Sequence, residues 1–206
     1  MDVIMFSLGP LQTNCYLLIE DEQAVVVDPG GDPGPILDHL EQSGAGLTHI
    51  LNTHLHFDHI LGNKPLHEAT SAKILASPLD GPLLKTEIGG GGLWGFPIVP
   101  SFEYEPLEPG ETTLLGQTCM VLATPGHSQG SLSFYFPKAK AVFSGDLIFE
   151  RSIGRTDFPG GDMNALLESV KREIFSLPPD TVIYSGHGPQ TTVGDEKNHN
   201  PYFTSY

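Results

Sequence analysis

The 206-residue sequence predicts an α/β sandwich of two similar halves, two sheets packed face to face with helices outside. Three observations lead there. Short apolar runs of strand length recur along the chain, bounded by Gly, Pro, Asn or Asp. The elements run strands, helix, strand, helices, and then strands, helix, strand, so each half is β-rich first and helical afterwards. Turn residues are abundant, with 24 Gly and 18 Pro, yet they gather into no linker that would separate one domain from another.

Each element follows from its own residues. Val3 to Leu8 is an apolar run broken by Gly9-Pro10. Tyr16 to Ile19 and Ala24 to Val27 flank the polar Glu20-Asp21-Glu22-Gln23, which predicts a hairpin, and Asp28-Pro29-Gly30-Gly31 turns the chain. Pro35 to Gln42 has helical spacing with Gly44 just past its end. His49 to Asn52 reads as a buried strand, Ile60 to Thr70 as a helix and Lys73 to Ala76 as a strand. Ser77 is placed to cap a helix over Pro78 to Glu87, with Pro at its first position. Ile88 to Pro106 is a long irregular stretch. Strands resume at Thr112 to Leu115, Cys119 to Ala123, Ser131 to Phe136 and Ala141 to Phe143. Asp162 caps a helix whose Leu166, Leu167, Val170 and Ile174 form one stripe. Pro178-Pro179 stops it, Val182 to Tyr184 is a last strand, and Gly194 to Tyr206 receives no assignment.

Composition narrows the function. Ten basic against 25 acidic residues leave a formal charge of −15, which argues against binding to nucleic acid or an anionic membrane. The opening lacks a basic region before an apolar run, and no apolar stretch approaches the ~20 residues of a membrane span, so a cytoplasmic protein is expected. Cys15 and Cys119 are too few for a disulfide framework and read as buried apolar side chains. Nine histidines are available to hold cations.

The densest chemistry is Thr53-His54-Leu55-His56-Phe57-Asp58-His59, directly after an apolar strand. Alternate residues of extended chain face one side, so His54 and His56 point together, and a turn then brings Asp58 and His59 in from another direction. Four ligand-type side chains in six residues suit a pair of metal ions better than one tetrahedral ion. Three more candidates sit at strand ends beside glycine: His127 after Gly126, Asp146 after Gly145 and His187 after Gly186. Asp28 and Thr53 lie near strand ends as supports for these ligands, or, for Asp28, as a plain turn residue. His39, His49, His67 and His199 lack partners at ligand spacing and are read as non-ligands. Gly89 to Gly92, with Trp94 and Phe96 after it, is a flap over a groove or a solvent loop; no Gly-Lys-Ser/Thr follows to make it a phosphate loop.

These residues resemble the metallo-β-lactamase superfamily, in order and over nearly the whole chain. The resemblance implies an αβ/βα four-layer sandwich of two packed mixed sheets with helices outside, and two metal ions at the sheet edges. It implies that His54, His56 and His127 hold one metal, that Asp58, His59 and His187 hold the other, and that Asp146 bridges them. Within the superfamily the chain looks most like the glyoxalase II group, the hydroxyacylglutathione hydrolases. Gly145-Asp146-Leu147-Ile148-Phe149 followed by Gly154-Arg155-Thr156-Asp157-Phe158-Pro159-Gly160-Gly161 is similar to its compact, single-domain bacterial members. That implies one domain over 1–206 without the C-terminal helical glutathione-binding extension of full-length members, and after His187 the sole Lys or Arg is Lys197. By the same resemblance Arg155 is a substrate-binding residue, against the reading of an Arg paired with Asp157 or Asp162.

The expected reaction is metal-dependent hydrolysis of a small thioester or ester. Metal lowers the pKa of a bound water to about 7, and a hydroxide bridging two ions attacks the carbonyl with no serine or cysteine nucleophile. Asp58 and Asp146 are the expected catalytic pair, orienting that hydroxide while binding metal. Zinc is the first expectation for the two divalent ions; iron and manganese suit the same imidazole and carboxylate donors. Competing readings are a one-iron persulfide dioxygenase, a lactonase or lactamase, and a non-catalytic metal-binding protein.

Overall fold

A computed structural model describes residues 1–204; Ser205 and Tyr206 lie outside the described residues, together with the end of the tail that the sequence left unassigned. The chain divides into two compact units, Met1–Leu107 with Leu114–Gly116, and Glu108–Thr113 with residues 117–204.

The first unit is built on a six-stranded mixed sheet in the order β1 (Asp2–Leu8), β2 (Thr13–Glu20), β3 (Gln23–Val27), β4 (Gly46–Leu51), β5 (Lys73–Ala76) and β6 (Glu105–Pro106). The expected hairpin is β2–β3, paired from Tyr16 opposite Val27 to Glu20 opposite Gln23. From β3 onward the pairing is parallel, which requires crossover connections. The first crossover is α1 (Gly34–Ser43), which buries Ile36 and Leu40 and ends at Gly44 in the left-handed region, φ 71°. Leu17, Val26, Ile50, Leu66 and Ile74 meet these side chains in one core cluster.

The segment expected as one helix from Ile60 to Thr70 is two, α2 (Phe57–Ile60) and α3 (Asn63–Thr70). They separate at Gly62, whose N–H leaves the helical pattern to bond the Pro29 carbonyl at 2.7 Å. After β5, Ser77 caps as expected, accepting from the Leu79 N–H, but Pro78–Lys85 winds as a 3₁₀ helix because Pro82 withholds a donor inside it. The irregular stretch is more ordered than expected. Glu87–Gly90 forms a helical turn, α4, and Gly91 bridges back to Ile98. Gly89 is buried against the carbonyls of Leu83 and Leu55, so the glycine run starts inside the unit. Phe96 stacks on Phe57 at 5.2 Å, while Trp94 stands exposed.

The second unit holds the other mixed sheet, whose strands in chain order are β7 (Gly110–Leu114), β8 (Gln117–Ala123), β9 (Leu132–Phe136), β10 (Ala141–Gly145), β13 (Val182–Ser185) and β14 (Thr191–Thr192). Strands β10 and β13 run parallel, and α5 (Met163–Ser169) lies in the crossover between them. Asp162 caps α5 as the sequence predicts, accepting from the Ala165 N–H at 3.0 Å. A π-helical segment, Val170–Ile174, extends it and buries Val170 and Ile174 beside Leu166. Three pieces escaped the sequence: the small hairpin β11 (Ile148–Phe149) with β12 (Ser152–Ile153), the edge strand β14, and α6 (Val193–His199) in the tail. Among the described residues no helix is long and apolar enough to cross a membrane.

Candidate metal centre

The seven expected ligands fall into two groups. His54, His56, Asp58 and His59 belong to the first unit, His127, Asp146 and His187 to the second.

In the first unit, β4 delivers the chain into the loop as Asn52. Its buried amide exchanges two hydrogen bonds with Asn63, at 3.2 and 2.8 Å, clasping both ends of the loop. Between them Leu55 is buried with Ile60 and Ala76, which anchors the apolar side of the alternation. The rings of His54 and His56 lie 4.5 Å apart, and those of His54 and His59 4.1 Å. All four ligand candidates are buried.

Asp28 decides how two of these rings present themselves. It accepts from the Thr53 N–H at 2.8 Å and from the Thr53 hydroxyl at 2.6 Å. With its proton given to Asp28, Thr53 Oγ1 accepts from His54 Nδ1 at 2.9 Å. Asp28 also accepts from His59 Nδ1 at 2.9 Å. A carboxylate can only accept here, so His54 and His59 both carry the proton on Nδ1 and present a lone pair at Nε2, the tautomer a metal requires. Asp28 and Thr53 are therefore supports, as the sequence suggested, and Asp28 is no plain turn residue: it is buried with φ 51°. His59 Nε2 stands 3.6 Å from Asp58 Oδ2. The sequence missed two further supports. Thr13 donates its hydroxyl to Asp58 at 3.0 Å, and the buried Asp80 accepts the Leu55 N–H at 3.2 Å.

In the second unit, His127 follows β8, Asp146 follows β10 and His187 follows β13. His127 Nδ1 donates to the Arg155 carbonyl at 2.7 Å, which again leaves Nε2 as the lone-pair nitrogen. The Nε2 atoms of His127 and His187 each lie 3.6 Å from Asp146 Oδ2. That separation is long for a hydrogen bond. It matches two donors sharing one cation, since ligands ~2.1 Å from a tetrahedral ion stand ~3.4 Å apart. The donor types of both groups, imidazole and carboxylate, suit divalent metal.

The other candidates find other partners. Arg155 forks onto Asp157 through Nε at 2.7 Å and Nη2 at 2.8 Å, and its guanidinium lies 3.8 Å from the Phe158 ring centroid. His49 pairs with Thr48, His67 with the Ala72 carbonyl, and His199 with Asp195; His39 meets the edge of Phe6. Both cysteines are buried, and desolvation raises their thiol pKa values, that of Cys119 to about 12. Neither supplies a thiolate near neutral pH.

Comparison with known proteins agrees with this donor chemistry. The family described as "Metallo-beta-lactamase superfamily" matches residues 8–187. A probable metallo-hydrolase of Bacillus subtilis is 36% identical over 202 residues, covering 97% of this chain and 96% of the relative. The hydroxyacylglutathione hydrolase GloC of Haemophilus influenzae is 32% identical over 210 residues, covering 100% and 99%. Among solved structures, BLEG-1 B3 metallo-beta-lactamase has a TM-score of 0.92 at 38% identity, covering 99% of this chain and 100% of that one. TTHA1623 in a di-iron-bound form has a TM-score of 0.87 at 43% identity, covering 97% and 99%. ETHE1 from Myxococcus xanthus has a TM-score of 0.79 at 30% identity, covering 98% and 84%.

Proposed function

Because the chain belongs to the metallo-beta-lactamase superfamily, with its mixed-sheet α/β fold, we propose that it is a dinuclear metal-dependent hydrolase, a thioesterase acting on hydroxyacylglutathione-type thioesters. His54, His56 and His127 would hold one metal, Asp58, His59 and His187 would hold the other, and Asp146 would serve both. One observation carries this reading: Nε2 of His127 and Nε2 of His187 each stand 3.6 Å from the same Asp146 oxygen, with His127 locked in the ligating tautomer by a backbone carbonyl. A hydroxyacylglutathione hydrolase among the relatives and a di-iron protein among the structures support the substrate class and the metal count.

Bound divalent ions would supply hydroxide at neutral pH, by lowering the pKa of water to about 7, and would polarise the carbonyl under attack. The chain's own residues do the rest. Asp58, steadied by Thr13, and Asp146 accept hydrogen bonds from the attacking water and so aim it at the carbonyl. The Asp28 network keeps His54 and His59 from turning their protonated nitrogens inward. The C–S bond breaks as the C–O bond forms, and the departing thiolate takes up the proton released by water. Neither buried thiol acts as a nucleophile. Arg155 is the substrate-side cation: its guanidinium is half exposed and its fork is fixed in place by Asp157. Zinc is the first candidate metal, with iron and manganese suited to the same donors.

The test is metal analysis of the purified protein with an S-lactoylglutathione hydrolysis assay, on the wild type and on His56→Ala. Two metals per chain and turnover in the wild type, both lost in the variant, are expected. Retention of both in His56→Ala sinks the assignment. One iron per chain with oxygen consumption on glutathione persulfide replaces the hydrolase with a dioxygenase, and metal without turnover on any thioester leaves only a metal-binding protein.

A further inference from the structure

Glu196 is a fully buried carboxylate in the tail helix, outside every metal ligand set. Four donors converge on it: the Arg151 N–H at 2.9 Å, Arg151 Nη1 at 2.6 Å, the Thr191 hydroxyl at 2.7 Å and Asn200 Nδ2 at 2.9 Å. Asn200, buried as well, also reaches the Ser152 carbonyl at 3.0 Å. Helix α6 buries only Val193 and Glu196, so it docks through a charge rather than through an apolar stripe. A buried ion pair adds little net stability over a packed apolar contact, because desolvation offsets the attraction. What it fixes is geometry, and here the fixed object is Arg151, at φ 57° in the turn of the β11–β12 hairpin.

That hairpin reaches all three metal-ligand candidates of its unit. Asp146 sits at its entry. At its exit, Gly154 packs so closely on the Asp146 carbonyl that a Cβ there would stand 1.7 Å from the oxygen. The next residue, Arg155, supplies the carbonyl that orients His127. Phe149, on β11, meets His187 edge to face at 6.3 Å.

We propose that Glu196 is a positioning residue for the His127, Asp146 and His187 group, acting through Arg151 and the β11–β12 hairpin. The tail helix is thereby built into the metal centre's frame, without touching metal or substrate. This rests on the metal reading above, so the experiment carries one arm that needs no metal.

The variants are Glu196→Gln, Arg151→Met and, as a control of similar destabilisation, Val170→Ala in the same unit's core. Zinc affinity is measured by competition with a chromophoric chelator, thermal midpoints by calorimetry. Glu196→Gln and Arg151→Met are expected to bind zinc about 10- to 100-fold more weakly, as outer supports of ligands do, while Val170→Ala keeps its affinity. Affinity within twofold of wild type in both ion-pair variants, or an equal loss in Val170→Ala, overturns the proposal. Should Glu196→Gln fail to fold, Arg151→Met decides, since that side chain is 41% exposed. In the metal-free arm, nitrogen-15 NMR of the histidine rings follows the His127 Nδ1–H. Its signal is expected to weaken in both ion-pair variants, and an unaltered signal overturns the proposal. A wild type that binds no zinc defeats the metal reading alone, and the ring-proton comparison still decides the role of Glu196.

Discussion

Asp28 accepts a hydrogen bond from His59 Nδ1 at 2.9 Å on the same oxygen that accepts from the Thr53 hydroxyl at 2.6 Å. One carboxylate thus sets the tautomer of two rings, His59 directly and His54 through Thr53. Asp28→Asn separates charge from shape, because Asn also tolerates the left-handed backbone at φ 51°. The amide presents one acceptor in place of two, so at least one buried donor loses its partner, a cost of about 1–3 kcal/mol. Metal affinity should fall about 10- to 100-fold. Chelator competition and thermal unfolding check both numbers, and undiminished affinity would show that the rings hold their orientation without Asp28.

Two glycines hold the two aspartate candidates by close approach. A Cβ on Gly30 would lie 1.9 Å from the Asp58 carbonyl oxygen, and one on Gly154 1.7 Å from that of Asp146. Neither has a positive φ, so an alanine there meets a steric obstacle alone. Backbone, not a flexible side chain, must move, and overpacking of this kind costs about 1–3 kcal/mol. Gly30→Ala and Gly154→Ala should each lower the unfolding midpoint and displace an aspartate. Gly188→Ala, where a Cβ meets nothing within 4 Å although φ is 73°, is a control for backbone strain without a clash. If the first two variants bind metal like the wild type, the close approach does not position the carboxylates.

The ligand candidates were legible because they obey local rules. Four lie in one loop, where strand alternation and a turn sort them, and three lie beside strand-end glycines. Their supports were harder to read because they are remote. Thr13 meets Asp58 from 45 residues away and Asp80 meets Leu55 from 25, and no spacing rule links them. The glycines adjacent to the ligands were the visible ones; Gly30 and Gly154 act on carbonyls elsewhere in the chain. In secondary structure, Gly62 and Pro82 altered helices whose apolar spacing continued through them. Helix α6 was invisible for a physical reason: its buried anchor is Glu196, so no apolar period marks it.

Metal removal should loosen the fold as well as stop the chemistry. Five of the seven ligand candidates, all but Asp146 and His187, are buried. Ligand binding to the native state alone adds about 2.7 kcal/mol when free metal stands a hundredfold above its dissociation constant. For a chain of this length each kcal/mol moves the midpoint by about 2–4 °C. Exhaustive chelation should therefore lower the midpoint by about 5–10 °C, and added zinc should restore it. Coincident calorimetric traces with and without chelator would mean that these imidazoles and carboxylates hold no ion in the native protein.

Arg155 can be tested through its partner. The hydrogen bond from Arg155 holds the Asp157 carboxyl down to about 2, from an ordinary value of 3.8. A depressed folded-state pKa stabilises above the unfolded value and ceases to do so as pH falls through the folded one. The Arg155–Asp157 pair should therefore be intact at pH 4 and above and come apart as the pH drops toward 2. Both side chains are exposed, so salt should weaken the effect. In Arg155→Ala, carbon-13 NMR should find Asp157 titrating near its ordinary value. If Arg155 also meets the substrate's carboxylates, the same variant should raise KM for an anionic thioester about tenfold while kcat moves little, the signature of lost ground-state binding. A restored Asp157 pKa with KM unmoved would confine Arg155 to its pair with Asp157.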